Sequence, residues 1–389
     1  MKNFTYVNTT KIIFGKDTEN LVGEEIKSFG GKKVLFHYGG GSIKKSGLYE
    51  RIIKSLKDSH IDYIELGGVQ PNPRLSLVRS GVELCKKHNI DFILAVGGGS
   101  VIDSAKAIGI GAVYDGDVWD FFSGKATINT TIPVGVILTI PAAGSEASTG
   151  TVITNEYGWY KWSVNSVIIR PKFAILNPEL TYTLPAYQIA CGASDMVAHV
   201  FERYFTNESG VDFTDELCEA TIRSIMRSVK MVLNNPTDYE ARANLMWEGT
   251  LAHNGILGTG RIEDWASHKI EHELSAIYDI AHGAGLAIIF PHWMEYVYKH
   301  DIYRFARFSH RIFNVDVDFF NLEATVLEGI KRLKKFYQEI GLPTKLRDVN
   351  IGNERLKEMA EKATINGPIG GFVKLTTDDV YNIYKMALE

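Results

Sequence analysis

The chain has 389 residues, enough for two domains with substantial cores. Hydrophobic residues make up 45% and charged residues 23%, an ordinary globular balance, and a formal net charge of -4 argues against a nucleic-acid partner. No uncharged apolar run reaches the ~18 residues of a membrane span, the start lacks the apolar core of a secretory signal, and three scattered cysteines (Cys85, Cys191, Cys218) without a C-x-x-C pattern fit a reducing cytoplasm.

From residue 33 the chain alternates short apolar runs with helical patterns. Residues 33–38 read as a buried strand that runs into Gly39-Gly40-Gly41-Ser42. Residues 43–59 then have helical spacing through Ile52, Ile53 and Leu56. A strand over 61–66 leads to the Pro71-Asn72-Pro73 turn and a helix over 75–88. A third strand, 91–96, ends at Gly97-Gly98-Gly99-Ser100. A helix over about 101–110 and a strand over 134–138 follow. This alternation predicts a parallel sheet with crossover helices. After about Pro185 helical periodicity dominates, over 195–205, 216–233, 239–254, 265–277, 322–340 and 378–387. The expected organisation is an N-terminal α/β, Rossmann-like domain over 1–184 and an all-helical domain over 185–389.

Glycines directly after a strand let a phosphate approach the backbone, and a following helix N-terminus offers free N–H groups. The segment Gly97-Gly98-Gly99-Ser100 has this context. Neither glycine turn matches G-x-G-x-x-G, so the usual dinucleotide fingerprint is absent. Near the end of the first of these strands many NAD enzymes carry an acidic residue that grips the ribose 2′-OH. Here Tyr38 is followed by three glycines, Ser42, Lys44 and Lys45, which leaves room for NADP(H) without excluding NAD(H).

Two further stretches carry metal-ligand chemistry: Asp195-Met-Val-Ala-His199, and His268-Lys-Ile-Glu-His272 followed by His282-Gly283. A spacing of i, i+4 puts both side chains on one helix face. His199 and Glu202 share the face of Asp195, opposite Val197, Phe201 and Tyr204. His268 and His272 lie opposite Ile270, Leu274 and Ile277. Two helices with an apolar back and a His/carboxylate front suit a divalent cation, with His282 just past the second helix. The remaining histidines show no comparable pattern.

These residues resemble the iron-containing, or group III, alcohol dehydrogenases, in particular the butanol dehydrogenase branch and its aldehyde-reductase relatives. The resemblance spans nearly the whole chain. Its marks include Phe14-Gly15, Tyr38-Gly-Gly-Gly-Ser-Ile43, Pro71-Asn72-Pro73, Gly97-Gly-Gly-Ser-Val-Ile-Asp103-Ser-Ala-Lys106, Gly144-Ser145-Glu146, Arg170-Pro171-Lys172-Phe173, Asp195-x3-His199, Ala241 to Trp247, and His268-x3-His272 through His282-Gly283. It implies a dehydroquinate synthase-like fold. It implies that Asp195, His199, His268 and His282 bind one divalent metal, Fe2+ or Zn2+, and that His272 stands near the nicotinamide without being a ligand. Gly98, Gly99 and Ser100 would hold the pyrophosphate, and Gly39, Gly40 and Ser42 would lie near the adenosine ribose. Asn72, Asp103, Thr139 and Lys161 match other cofactor-contact positions. Three departures stand out: Ala143 where the family usually has Thr, Asn177 for the usual Asp, and Cys191-Gly192-Ala193-Ser194 where a Thr-Gly pair is common.

The implied activity is NAD(P)-linked interconversion of primary alcohols such as butanol with their aldehydes, by a cytoplasmic enzyme, a homodimer by analogy with relatives. The metal polarises the substrate oxygen and His272 is the candidate proton relay. The rivals are a glycerol or polyol dehydrogenase or a lyase on the same scaffold, and a non-catalytic metal or nucleotide sensor. A lyase for a phosphorylated acid calls for more basic residues than the metal segments supply.

Overall fold

The computed structural model describes residues 1–389, and no helix in it is long and apolar enough to cross a membrane. The chain divides into two compact units, one of residues 7–184 with 236–254, the other of residues 1–6, 185–235 and 255–389.

The first unit carries, in chain order, β1 (Lys11–Phe14), α1 (Val22–Ser28), β2 (Lys33–Tyr38), α2 (Ser42–Lys45), α3 (Leu48–Asp58), β3 (Asp62–Leu66), α4 (Leu75–His88), β4 (Phe92–Gly97), α5 (Gly99–Ala112), α6 (Trp119–Phe122), β5 (Val134–Leu138), β6 (Gly150–Asn155), β7 (Tyr160–Asn165) and β8 (Phe173–Leu176). Six strands form one wholly parallel sheet in the order β1-β8-β5-β4-β2-β3, and β6 and β7 make an antiparallel hairpin. A side-chain period of two sends alternate residues to opposite faces. Val34, Phe36, Phe92 and Leu94 pack with Val22, Ile26, Ile52 and Leu56 on one face. Leu35, Ile93, Ala95 and Val136 pack with Leu75, Val78, Ile102 and Ile108 on the other. Cover on both faces is why β2, β4, β5 and β8 are continuous apolar runs.

The second unit carries α7 (Ala186–Tyr204), α8 (Asp212–Asn234), α10 (Ala266–Tyr278), α11 (His282–Val297), α12 (Ile302–Phe313), α13 (Leu322–Glu339), α14 (Leu356–Ala363) and α15 (Thr377–Leu388). No strand lies in it, so the all-helical expectation agrees with the structure. The helix α9 (Tyr239–His253), expected within 185–389, packs in the α/β unit instead. Its Met246 joins the core beneath the sheet, and Thr250 donates to Glu146 at 2.6 Å. Residues 1–6, expected with the α/β domain, fall in the helical unit, where Lys2 N–H donates to the Gly260 carbonyl at 2.9 Å.

Other boundaries differ as well. α7 begins nine residues before Asp195, because Ala186 to Ser194 continue the helix after Pro185. His282 opens α11 rather than trailing α10. Asn177 has a local reason. Its side-chain oxygen accepts from Glu179 N–H at 3.0 Å and its amide donates to buried Glu19 at 2.9 Å, a contact that an ionised Asp could not make.

Candidate metal centre and nucleotide crevice

The chain leaves β2 outward to β3, then returns to the other side of β2 to lay down β4 and β5. The strand order therefore reverses between β2 and β4. Open α/β sheets bind ligands beyond the carboxyl ends of the strands that flank such a point. Both glycine turns stand there, Gly39-Gly40-Gly41 after β2 and Gly97-Gly98-Gly99 across β4 and α5.

The two turns are glycine-rich for different reasons. A Cβ at Gly97 would stand 2.4 Å from Val101, and one at Gly98 would stand 2.9 Å from Ile140, so packing alone demands glycine. At Gly40 and Gly41 a Cβ would meet nothing within 4 Å, and neither needs a positive φ. Internal packing gives no reason for glycine at those two positions, whereas backbone approach by a ligand would. Gly98 caps α5 without a side chain, and Gly99 and Ser100 open that helix, where N–H groups lack intrahelical partners. Thr139 N–H donates to the Gly97 carbonyl at 3.0 Å, which holds the end of β5 beside the same turn.

The other expected cofactor positions lie around this rim. Asn72 is buried with φ 55 in the Pro71–Pro73 turn, and the Pro73 carbonyl accepts from Thr154 N–H at 2.8 Å. Thr154 pairs across the hairpin with Lys161, itself buried. Asp103 is used internally: its carboxylate accepts from Ser145 at 2.5 Å and from Val152 N–H at 3.0 Å. Burial holds its pKa above the usual carboxylate range, against the pull of Lys106, Ser145, Val152 and Lys161. Lys106, with no exposed surface, donates to the carbonyls of Ser145 (2.6 Å) and Gly150 (2.8 Å), and burial drives its ammonium down to about 8. The pair Asp103 and Lys106 pins residues 145–152 onto α5. Ala143 lies against the start of α5, its Cβ 3.1 Å from where a Cβ on Gly99 would be.

The helical unit gathers the other chemistry. α7 presents Asp195 and His199, α10 presents His268, and α11 presents His282. Ligand atoms of Asp195, His268 and His282 all lie within 4.8 Å of one another. From Asp195 Oδ1 the distances are 3.3 Å to His199 Nε2, 3.8 Å to His268 Nε2 and 3.7 Å to His282 Nε2. Ligands about 2.0–2.2 Å from one ion stand roughly 3–3.5 Å apart, so these separations are of that size or slightly wider. Buried Asp195 Oδ1 and His268 Nε2 have no hydrogen-bond partner, a costly arrangement that a cation relieves. Burial lowers the pKa of His268, but the facing carboxylates of Asp195 and Glu202 outweigh it and raise it to about 9. The spot therefore favours positive charge, and the residues fit a divalent metal. His199 joins through Asp195 and through its ring, 4.6 Å from that of His268. His272 is half-buried, its ring 5.6 Å from that of His282.

Sequence reasoning placed Glu202 on the face of Asp195 without a role, and gave none to Glu271. In the structure both are fully buried and contact the imidazoles: His268 Nδ1 is 2.7 Å from Glu202, and His282 Nδ1 contacts Glu271. Their spacing of three from His199 and from His268 was the available signal.

Two family models match, the iron-containing alcohol dehydrogenase model over residues 9–178 and the Fe-containing alcohol dehydrogenase C-terminal model over residues 189–388. The chain is 44% identical over 393 residues to probable NADH-dependent butanol dehydrogenase 1 of Bacillus subtilis, with both chains covered in full. It is 33% identical over 395 residues to the NADPH-dependent aldehyde reductase YqhD of Escherichia coli, again with full coverage of both. The crystal structure of NADH-dependent butanol dehydrogenase A from Thermotoga maritima matches with a TM-score of 0.97 at 44% identity, over 100% of this chain and 99% of that one.

Proposed function

The chain belongs to the iron-containing alcohol dehydrogenase family, and on that premise we propose that it interconverts primary alcohols such as butanol with their aldehydes, using a divalent metal, Fe2+ or Zn2+, and NAD(H) or NADP(H). The observation that carries this reading is the convergence of Asp195, His268 and His282, from three helices, on one spot where two buried polar atoms lack partners. Together with His199 these residues hold the ion, and the turns at Gly39 to Ser42 and Gly97 to Ser100 hold the dinucleotide. When bound, the metal supplies Lewis-acid polarisation of the substrate oxygen, and the nicotinamide supplies or takes the hydride.

The chain's own residues do the rest. The three imidazoles keep their Nε2 atoms toward Asp195 Oδ1, which orders the site before substrate arrives. His272, beside His282 and half-exposed, holds the proton that the alcohol oxygen loses or the aldehyde oxygen gains. No carboxylate closes the turn after β2. Glu65, on the neighbouring β3, accepts from the hydroxyls of Tyr38 (2.9 Å) and Tyr49 (2.6 Å), and the turn itself carries no acidic residue, which leaves room for a ribose 2′-phosphate.

The test is NAD(P)H oxidation with butanal and NAD(P)+ reduction with glycerol, each with NADH and NADPH cofactors and with and without chelator. Butanal should be reduced, chelator should stop it, and His268→Ala should lose bound metal and turnover together. A fully active metal-free H268A protein would overturn the assignment. Preference for glycerol would move the reading to a polyol dehydrogenase on the same scaffold.

We further propose a homodimer working in the cytoplasm. β1 is an edge strand paired only with β8, and the neighbouring Phe14 and Trp247 are about two-fifths exposed, a surface suited to a second copy. The three cysteines are unpaired, as a reducing compartment allows. Light scattering at micromolar concentration tests the dimer.

A further inference from the structure

The metal-site helices are linked in sequence by carboxylates that face a neighbour's imidazole. Glu202, on α7, accepts from three N–H groups at the start of α10: that of Trp265 just before the helix at 2.5 Å, His268 N at 3.0 Å and His268 Nδ1 at 2.7 Å. α10 begins at a left-handed Trp265 (φ 66) with no side-chain cap of its own, so Glu202 both caps it and fixes its histidine. Glu271, on α10, accepts from the Ser275 hydroxyl and from His282 Nδ1 at the start of α11. A carboxylate accepts only, so Nδ1 of each ring carries a hydrogen, and Nε2 is the nitrogen left to ligate, a cation displacing any proton it holds. In both rings that Nε2 is the atom turned toward Asp195 Oδ1.

Gly285 completes the second of these links. A Cβ at Gly285 would lie 2.5 Å from Glu271 Oε1 and 2.7 Å from its Cγ, so the missing side chain is the space in which that carboxylate sits. Gly283 has a different task, since its Cβ would stand 1.9 Å from the Cys191 carbonyl and would push α11 off α7 altogether.

We propose that Glu202 and Glu271 are positioning residues that set the tautomer and aim of His268 and His282, and that Gly285 acts through Glu271. This rests on the metal reading above. Hydrogen bonds of this kind to ligating histidines are worth roughly 10–100-fold in metal affinity. Glutamine at 271 has one acceptor oxygen for two donors. Wherever its amide faces Nδ1, His282 must turn over to the tautomer with hydrogen on Nε2, which cannot ligate. Glutamine at 202 loses the charge and one oxygen at the cap, so E202Q carries a risk of misfolding that E271Q does not share.

The experiment is a competition titration of Zn2+ against a chromogenic chelator with wild type, E202Q, E271Q, G285A, E271Q/G285A and H268A. The thermal midpoint of each metal-free protein is measured alongside. E271Q should bind Zn2+ roughly 10–100-fold more weakly with its metal-free midpoint unchanged, a combination that a merely structural role does not give. G285A should reproduce that loss, and the double variant should be no weaker than the worse single one, because both act on the same carboxylate. Wild-type affinity in E271Q, with metal lost in H268A, overturns the positioning role and leaves the metal site standing. Metal retained by H268A overturns the metal reading itself. Multiplying losses in the double variant refute the link from Gly285 to Glu271.

Discussion

A buried histidine takes its charge state from what faces it, and this chain holds two opposed cases. His37 on β2 has Nδ1 2.8 Å from the Leu66 carbonyl and Nε2 2.8 Å from the Ser104 hydroxyl, and no exposed surface. The carbonyl only accepts, so Nδ1 carries the hydrogen and the neutral ring satisfies both partners. Burial drives its pKa down to about 4, with the Leu66 bond opposing. His268 is also buried but faces two carboxylates, and its pKa moves the other way. For His37 the unfolded chain takes a proton near pH ~6.5 and the folded chain only near 4. Between those values the unfolded state binds more protons, so this contribution to stability is present above pH ~6.5 and is lost as pH falls toward 4. The full shift corresponds to about 3 kcal/mol. Urea midpoints should therefore slide downward from pH 7 to pH 4.5 in wild type, and more gently in His37→Gln, whose amide can keep both bonds without titrating. An H37Q slope equal to that of wild type would assign the acid limb to other groups. The sequence could not show this, since the partners of His37 lie 29 and 67 residues away. Asp195/His199 and His268/His272 were legible because i, i+4 spacing is local. Glu202 and Glu271 stood on the same helices, but their targets belong to the next helix and emerge only when the chain folds.

At the scale of elements, apolar runs and glycine turns announced β2 to β5 and the helices α3 to α5. The short strand β1 and the hairpin β6–β7 carried no comparable signal, and the apolar run of β8 is only four residues long. β1 and β8 have four residues each and gain their strand character from parallel partners remote in sequence. α9 shows the complementary difficulty, because helical spacing declares a helix without saying which unit it joins. What holds it is specific. Gly144, at φ +61, brings its loop to within 2.9 Å of the Gly249 carbonyl, measured from where a Cβ would be, and Thr250 donates to Glu146, 1% exposed. Burial holds the Glu146 carboxyl above its ordinary range, and the Thr250 hydroxyl pulls it back down. Thr250→Val keeps the shape and deletes that donor. It should lower the stability of the α/β unit by about 1.5–3 kcal/mol, the value of a hydrogen bond to a charged group, read as a lower urea midpoint with an unchanged slope. A loss below about 0.5 kcal/mol would mean that Glu146 is satisfied elsewhere and that α9 is held by apolar packing alone.

For the whole molecule, the division of labour is complete at the level of residues. Every proposed metal ligand comes from α7, α10 or α11, while every glycine turn proposed for the dinucleotide belongs to the α/β unit. The alternation of strands and helices, followed by helices alone, made these two architectures legible. It did not reveal the reversal of strand order between β2 and β4 or the transfer of α9, which depend on pairings between distant segments. A ligand that binds only the folded state stabilises the unit that holds it, by about 4 kcal/mol at a thousandfold excess over Kd. In a unit of this size that corresponds to a shift of roughly 10 °C. Calorimetry of the metal-loaded protein should then resolve two transitions. Chelator should lower only the one assigned to the helical unit, and NADPH or NADH should raise only the other. The assignment follows from E271Q, whose weaker metal binding should shift the same transition that chelator shifts. A single transition moved equally by chelator and by dinucleotide would mean that the two units unfold as one, and that the separation of ligand sets has no thermodynamic counterpart.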